Sequence, residues 1–194
     1  LAVSLDGEAA AQASGVLRLT QAPGPLVALL GPEARLALAG QQEGDAWRLD
    51  SAQIEGMGIK LAAQGTASRD RLALGWTLGL SDLGALAVGW SGGIEARGGI
   101  SGPPEAPDLV ADLSGQGAHG ALGRGRIQGR LEARLGEPTG TLSLAGDWSG
   151  QPLRLDLAAG RAPAGGLELT LAEGRWASVV ASGLGPEKTY FWRV

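Results

Sequence analysis

The chain of 194 residues contains no cysteine, and this absence excludes a disulfide framework and a cysteine metal site. Its single histidine, His119, argues against a histidine metal cluster and against a Ser–His–Asp triad. No run of 18 apolar residues occurs, so the sequence predicts no membrane-spanning helix. The residues that usually carry metal binding, thiol chemistry and triad hydrolysis are therefore scarce or missing.

Positive charge and aromatic residues are also scarce. The formal net charge is −4, so the chain lacks the basic surface that nucleic acids require. Glycine is abundant instead, with Gly 34 and Pro 10. An interior Gly costs a helix about 1 kcal/mol relative to Ala and a Pro about 3, so long helices are not expected. With 44 % hydrophobic but only 4 % aromatic residues, we expect a core of Leu, Ala, Val and Ile.

Apolar and polar side chains alternate along much of the chain. Over residues 124–135, one parity holds arginines with Gln128 and Glu132, whereas the other holds only Gly, Ala, Ile and Leu. Successive side chains of a strand point to opposite faces, so this segment predicts a strand with one charged and one apolar face. The same alternation recurs over 72–80, 153–157 and 167–171, which is typical of half-buried strands.

The large residues of the apolar parity form what we call the apolar set. Because its tryptophans share parity with leucines, we expect Trp47, Trp76 and Trp148 to pack in a core. On the opposite parity, the row Arg124, Arg126, Arg130 and Arg134 is interpreted as a solvated strand face rather than an anion site. The apolar set comprises Leu36, Leu38, Trp47, Leu49, Leu72, Leu74, Trp76, Leu78, Ile127, Leu131, Leu135, Leu142, Leu144, Trp148, Leu153, Leu155, Leu157, Leu167, Leu169 and Leu171.

Turn residues separate these strands. Gly31-Pro32, Gly92-Gly93 and 102–104 are examples, and such breaks recur at spacings of roughly 8 to 15 residues. This spacing is typical of a meandering all-β chain, here with about a dozen strands. Only 25–30 and 81–88 suggest helix, and both are short; Ser81 or Asp82 supplies an N-cap for the second.

Two glycine motifs resemble sites of known chemistry, but neither has the structural context that the chemistry needs. The segment 89–93 has the Gly-x-Ser-x-Gly form of a nucleophile elbow, yet a strand follows Ser91 instead of a helix, so we interpret it as a glycine turn. The segment 115–120 has the dinucleotide-binding form, and again no helix follows. His119 lies among its glycines and is expected at a turn. We therefore expect no enzyme activity, no catalytic residue, no cofactor and no metal.

Several of these strand patterns, taken in order, resemble the TamB family of the AsmA-like superfamily, large envelope proteins of Gram-negative bacteria. The resemblance covers most of residues 15–182. The segments that carry it are 44–54, 59–67, 71–86, 98–115 and 140–157, the last with Gly150-Gln151-Pro152-Leu153 and the alternation that follows. These motifs are strand patterns rather than catalytic signatures.

The resemblance implies an elongated, curved antiparallel sheet that forms an open U-shaped, taco-like trough with a hydrophobic inner face. Family members are anchored in the inner membrane by an N-terminal helix and span the periplasm. They are associated with phospholipid transport toward the outer membrane, and with assembly of outer-membrane proteins alongside a barrel partner. We therefore expect a periplasmic location and phospholipid acyl chains as binding partners, with the apolar set as candidate lipid-groove lining.

The sequence departs from a full family member because it lacks the anchor helix and is much shorter. We expect a middle segment of the trough, a fragment of a longer chain. Residues 1–183 are assigned to the trough, and 184–194, which hold the only Tyr and the only Phe, to a poorly specified tail. The membrane anchor and the contact with a barrel partner would belong to parts not present in this sequence.

Two functions of different classes remain open. The first is a segment of an envelope-spanning bridge whose groove conducts phospholipid and supports outer-membrane protein assembly. The alternative is a structural or adhesive β-repeat module of a secreted protein, with a closed core and no lipid. The same two-faced strands serve an open trough and a closed sandwich. An outer-membrane barrel is disfavoured, because such barrels carry aromatic girdles and this chain has one Tyr and one Phe.

Overall fold

Strands that pair only with their neighbours in sequence make up most of the molecule. The computed structural model describes residues 2–6, 10–18, 24–137, 139–161, 167–176 and 179–184. Within them, thirteen strands form one antiparallel sheet in sequence order. The strands are β1 Ala2–Asp6, β2 Ala10–Arg18, β3 Glu33–Glu43, β4 Ala46–Glu55, β5 Ile59–Ala67, β6 Leu72–Leu80, β7 Trp90–Gly102, β8 Asp108–His119, β9 Gly123–Arg134, β10 Thr139–Trp148, β11 Gln151–Arg161, β12 Leu167–Trp176 and β13 Val179–Leu184.

The prediction of an all-β antiparallel fold is thus confirmed, with about as many strands as expected. The sheet is open, because β1 and β13 lie at opposite ends of the strand order and no pairing joins them in the described residues. The predicted tail at 184–194 lies outside the described residues except for Leu184, which ends β13. The finer expectation of a U-shaped trough is taken up below.

Two short helical segments interrupt the strands where the sequence indicated them. The helix α1 spans Gly24–Leu30 between β2 and β3, and a single 3₁₀ turn spans Leu83–Ala85 between β6 and β7. Asp82 is the N-cap of this turn, since its carboxylate accepts a hydrogen bond of 2.8 Å from the Gly84 N–H. Both segments lie in connections and leave the sheet intact.

A β-bulge in β4 corrects a break in the alternation. Trp47 and Leu49 are odd-numbered, whereas Ala52 and Ile54 are even-numbered, so a regular strand would put the two pairs on opposite faces. In the sheet, Leu49 pairs with Gly65 and Ala52 with Ala63, which leaves Asp50 and Ser51 together opposite one residue of β5. The bulge therefore returns all four apolar residues to one face. A second bulge in β12, at Ala172, does the same for Leu171 and Gly174.

Little of the chain is fully buried, because the described strands form a single sheet with no second sheet packed on it. The buried hydrophobic residues in the described part of the chain are few, and three of the five are alanines: Leu29, Ala34, Ala96, Ala111 and Trp148. Most apolar strand residues are half-buried instead. The described strands pair into one sheet rather than into the two sheets of a sandwich.

Candidate functional site

Apolar residues line one face of the sheet without interruption, and we call it the apolar face. The register aligns one residue from each of the strands β2 to β12 into a single row, since directly paired residues share a face. That row is Ala13, Leu38, Ala52, Ala63, Trp76, Gly98, Ala111, Leu131, Leu142, Leu157 and Leu171. The next row is also entirely apolar: Gly15, Leu36, Ile54, Leu61, Leu78, Ala96, Leu113, Gly129, Leu144, Leu155 and Gly174.

The opposite side, which we call the polar face, carries charged and hydrogen-bonding residues. The same register aligns the row Ser14, Ala37, Gln53, Ala62, Thr77, Arg97, Asp112, Arg130, Ser143, Asp156 and Glu173. The two faces therefore differ along the full width of these strands, and not only in the segments where the sequence alternates most clearly.

Alanine residues measure how well each face is shielded, because their side chains are equal in size. On the polar face, the described alanines are exposed or half-buried. The three buried alanines, Ala34, Ala96 and Ala111, all lie on the apolar face. The apolar face is thus the more shielded side at these positions, although the described strands form no second sheet over it. The larger apolar side chains of neighbouring strands supply this shielding.

Glycines indicate that the backbone is crowded on the apolar face. A Cβ added at Gly98 or Gly146 would overlap the carbonyl oxygen of the adjacent strand, Val110 and Arg126 respectively. On the polar face, by contrast, a Cβ added at Gly75 or Gly79 would meet no atom within 4 Å. At Gly98 and Gly146 the adjacent strand therefore leaves room only for glycine.

One apolar hollow lies on this face over strands β9 to β12. Its volume is about 580 Å³. Leucines from four consecutive strands line it: Leu131, Leu142, Leu157 and Leu169. Leu169 is among the exposed large hydrophobic residues, so the hollow is open to its surroundings. Arg134, Glu137, Thr139 and Thr141 also contribute to the lining, but leucines, alanines and glycines make up most of it, so the hollow fits an apolar chain.

A second, smaller hollow of about 200 Å³ lies where segment 81–89 folds over the apolar face. It is lined by Leu83, Leu86, Trp90, Ile94, Ile127 and Trp148. Trp148 is the largest buried side chain, 9 % exposed, and its indole Nε1 donates a 2.8 Å hydrogen bond to the Leu122 carbonyl. Its ring lies 5.5 Å from that of Trp90, which in turn lies 5.1 Å from the His119 ring. This aromatic cluster closes one end of the face.

A hollow of about 840 Å³ lies on the polar face over β4 to β9. Its lining mixes Glu55, Lys60, Glu95, Arg97 and Asp112, all exposed. Hollows on both faces are expected of a twisted sheet. Mixed, exposed charges are typical of a solvated surface, so size alone does not make this hollow the candidate site.

Exposed ion pairs organise the polar face. Arg130 lies between Asp112 and Glu132, at 3.2 and 2.7 Å, and Arg154 pairs with Asp156 at 2.8 Å. The hydrogen bond from Arg154 lowers the pKa of the Asp156 carboxyl, with the Ser143 hydroxyl contributing in the same direction. Such exposed pairs contribute little to stability, typically about 0–1 kcal/mol each. They keep this face charged and wetted.

The structure brings most of the predicted apolar set together on the apolar face. Two members differ from the expectation. Leu135 follows the end of β9 and lies in a connection, where its N–H bonds to the Pro107 carbonyl. Trp47 is on the apolar face but 49 % exposed, so the prediction that it packs in a core is wrong. Trp76 is half-buried and Trp148 buried, as expected. Leu167 begins β12, but its side chain lies outside the described residues.

Several residues of the apolar face were not predicted from the alternation. Leu61 in β5, Ile94 and Ile100 in β7, and Leu113 in β8 occupy the same rows as the apolar set. Between them, glycines and alanines fill the apolar positions of β7 and β8. These strands could have been identified by a different rule. A Gly or Ala would count as an apolar-face residue wherever the residues before and after it are polar.

The glycine motifs lie within strands, which corrects two expectations. Ser91 is in β7, paired with Ala118, rather than in a turn. His119 is the last residue of β8, paired with both Trp90 and Gly123, and its ring contacts that of Trp90 in a tilted arrangement. The turn itself begins after it. The predicted arginine row is exposed on the polar face as expected: Arg124, Arg126, Arg130 and Arg134.

Comparisons with family models, with curated proteins and with solved structures find no match to this chain. In the described part of the chain, no helix has both the length and the apolarity needed to span a membrane. The same residues hold no cluster of three or more His, Asp or Glu side chains suited to a metal ion. The apolar face with its two hollows is therefore the feature from which a function is inferred.

Proposed function

We propose that this chain is a lipid-handling segment whose apolar face binds phospholipid acyl chains. In this proposal the sheet forms the U-shaped trough of a TamB-like bridge protein, and the apolar face is the inner, hydrophobic side of that trough. Lipid would move along it between the inner and outer membranes of a Gram-negative envelope. Support for outer-membrane protein assembly would involve a barrel partner and parts of the bridge beyond this segment.

The observation that carries the proposal is the continuous apolar face of a single sheet, over which the described residues place no second sheet. Two complete apolar rows cross β2 to β12, whereas the charged side chains of these strands lie mainly on the other face. Contiguous apolar surface on a folded protein usually marks a binding surface. Burial of hydrocarbon against it would contribute about 0.8 kcal/mol per CH₂ group. The absence of oriented polar groups along the rows suits a fluid chain that must slide.

The proposed trough requires the sheet to bend toward the apolar face, where glycines let adjacent strands lie close together. The glycines at Gly98 and Gly146 permit an approach of adjacent backbone that any side chain would block. A sheet bent in that sense would place the leucines on its inner side and the ion pairs on its outer side. The apolar hollow over β9 to β12 then represents one stretch of the groove.

The alternative, an adhesive or structural module, predicts a dry closed core. The pairing of all described strands into one sheet does not favour it. The adhesive or structural module would become the favoured function if another protein layer, and not lipid, covered the apolar face.

The proposal is tested by native mass spectrometry of the chain purified from bacteria. We expect phospholipid to be bound to the wild type. Leu155→Glu places a charge on the apolar face, opposite Leu144. This substitution should abolish lipid loading, because covering an unpaired carboxylate with an acyl chain costs the free energy of removing the charge from water. The matched control is Ala145→Glu, on the polar face of the neighbouring strand and opposite Arg154, which should keep wild-type loading.

Circular dichroism should report the same β-content for all three proteins. A wild-type chain that is reproducibly free of lipid, or a Leu155→Glu variant that is folded and fully loaded, would contradict the proposal. Loading lost equally in both variants would also contradict it, because only one of the two substitutions touches the apolar face.

A further inference from the structure

The connections on one side of the sheet, at one set of strand ends, carry exposed apolar side chains. We call this line of strand ends and connections the apolar rim, and an edge of the sheet here means such a line of strand ends and not an outermost strand. In an antiparallel meander, alternate connections lie on the same edge, so α1, the turn 56–58, the segment 81–89 and the turn 120–122 are all on one side. Each exposes at least one large apolar residue. These are Val27, Met57, Leu86, Val88 and Leu122, with Val88 97 % and Met57 72 % exposed.

The opposite edge, which we call the charged rim, differs in composition. Its described connections 44–45, 68–71, 103–107 and 135–137 hold Asp45, Arg69, Asp70, Arg71, Glu105 and Glu137. One large apolar residue, Leu135, is exposed there. On the apolar rim, the described connections hold a single charged residue, Asp82, and its carboxylate is engaged in capping the 3₁₀ turn. Charge is thus segregated between the two edges of the sheet.

Hydrogen bonds from backbone and side-chain donors join the connections of the apolar rim to one another. The Gly58 N–H donates to the Leu29 carbonyl at 2.7 Å, and the Ser81 N–H donates to the Gly58 carbonyl at 3.0 Å. Farther along, the Trp148 indole and the Ser149 hydroxyl both donate to the Leu122 carbonyl. These bonds fix the loop tips before any partner arrives, which reduces the entropy cost of binding. The connections of the apolar rim therefore form one ordered surface rather than a set of independent loops.

The spacing of the apolar tips follows from the sheet. The rim extends from the β2–β3 connection to the β8–β9 connection, which is six strand spacings or roughly 29 Å at about 4.8 Å each. A protein partner would need close shape complementarity and satisfied hydrogen bonds along this line. A row of separate apolar tips, with glycines beside them and no free charge, needs neither if its partner is fluid hydrocarbon.

We propose that the apolar rim docks edge-on against a lipid bilayer surface, with Val88, Met57 and their neighbours entering its interfacial region while the charged rim stays in water. The absence of Lys and Arg from the described rim connections favours uncharged, zwitterionic lipid over an anionic surface. This docking is independent of whether the apolar face carries lipid, since it involves the sheet edge and not the strand rows.

The test is flotation of the whole chain with phosphatidylcholine vesicles in a density gradient. We expect the wild type to float with the vesicles, and added salt to leave the bound fraction unchanged because no ion pair is involved. Val88→Asp combined with Met57→Asp should lower the vesicle partition coefficient by roughly tenfold or more, since each substitution removes an apolar group from the bilayer contact. Both positions are exposed, so the fold should be unaffected.

Thr139→Asp adds one negative charge at the charged rim and should float like the wild type. Leu155→Glu should also float, which separates this proposal from lipid carriage on the apolar face. Failure of the wild type to float, or flotation unchanged in the rim double variant, would overturn the proposal. So would self-association without vesicles that Val88→Asp abolishes in sedimentation velocity, because the rim would then be a contact between copies of this chain.

Discussion

At the scale of single residues, position relative to the aromatic cluster distinguishes side chains of the same type. Trp148 and Trp47 both lie on the apolar face, yet one is buried and the other half-exposed. Trp148 covers its cross-strand partner Gly125, which leaves no room for a side chain there, and donates a hydrogen bond to Leu122. An aromatic ring over a glycine is a known way to shield strand backbone. Trp47 has no comparable surroundings.

This difference predicts unequal effects of truncation. Trp148→Ala should lower the free energy of unfolding by about 3 kcal/mol or more, because a buried aromatic side chain and its hydrogen bond are lost. Trp47→Ala, the matched control on the same face, should cost less than about 1 kcal/mol. Urea denaturation followed by circular dichroism measures both. Equal losses would contradict the assignment of Trp148 as an anchor of the aromatic cluster.

At the scale of elements, the bulge in β4 decides which residues share a face. Removing Ser51 would leave Trp47, Leu49, Ala52 and Ile54 separated by one residue each, so the strand would alternate regularly. Their partners in β5, from Gly65 to Leu61, already alternate without a bulge. The bulge therefore accommodates one extra residue, and without that residue the same four apolar side chains would still lie on one face.

We predict that deletion of Ser51 is tolerated, with a change in the free energy of unfolding below about 2 kcal/mol. Deletion of Gln53 in the same strand should be far more damaging, because Ala52 and Ile54 would become adjacent and one of them would turn to the polar face. Thermal melts of the two deletion variants make the comparison. A folded Gln53 deletion with wild-type stability, or an unfolded Ser51 deletion, would contradict the register.

Strand character was predictable where large residues alternate. In β10 and β11, leucines recur at every second position over 142–144 and 153–157, and in β9 the arginines share one parity while the other holds only Gly, Ala, Ile and Leu, so period and face are both evident. In β7 and β8 the apolar positions are partly Gly98, Ala111 and Gly115, which carry little hydrophobic signal. In β4 the bulge shifts the parity midway, which a strict period-two search reads as the end of the strand.

At the scale of the whole molecule, each described strand makes its extensive contacts with its neighbours in sequence. Contacts between elements run from β1·β2 to β12·β13 in order, with the 3₁₀ turn and α1 as local additions. The choice between one sheet and two could not be predicted, because both arrangements bury the same parity. The apolar rim was not predicted either, since it follows from which connections share an edge, a property of the completed topology.

Nearest-neighbour stabilisation predicts graded local stability, as in repeat proteins. Strands in the middle of the sheet, β6 to β9, have many intact neighbours on either side, so opening them requires disrupting more of the sheet than opening β2 or β12. Hydrogen exchange should therefore be slower in the central strands, by on the order of tenfold or more in protection. Uniform protection across β2 to β12 would indicate a single cooperative unit and contradict this prediction.

Reversal of chain direction at every strand makes the hairpin, and not the single strand, the natural unit by which such a sheet could lengthen or shorten. Gain or loss of two strands returns the chain to the same line of strand ends, so the apolar connections and the charged connections each stay on their own rim. An odd number would send every later loop across to the other edge. Descendants of this chain should therefore differ in size by pairs of strands if the two borders have separate tasks.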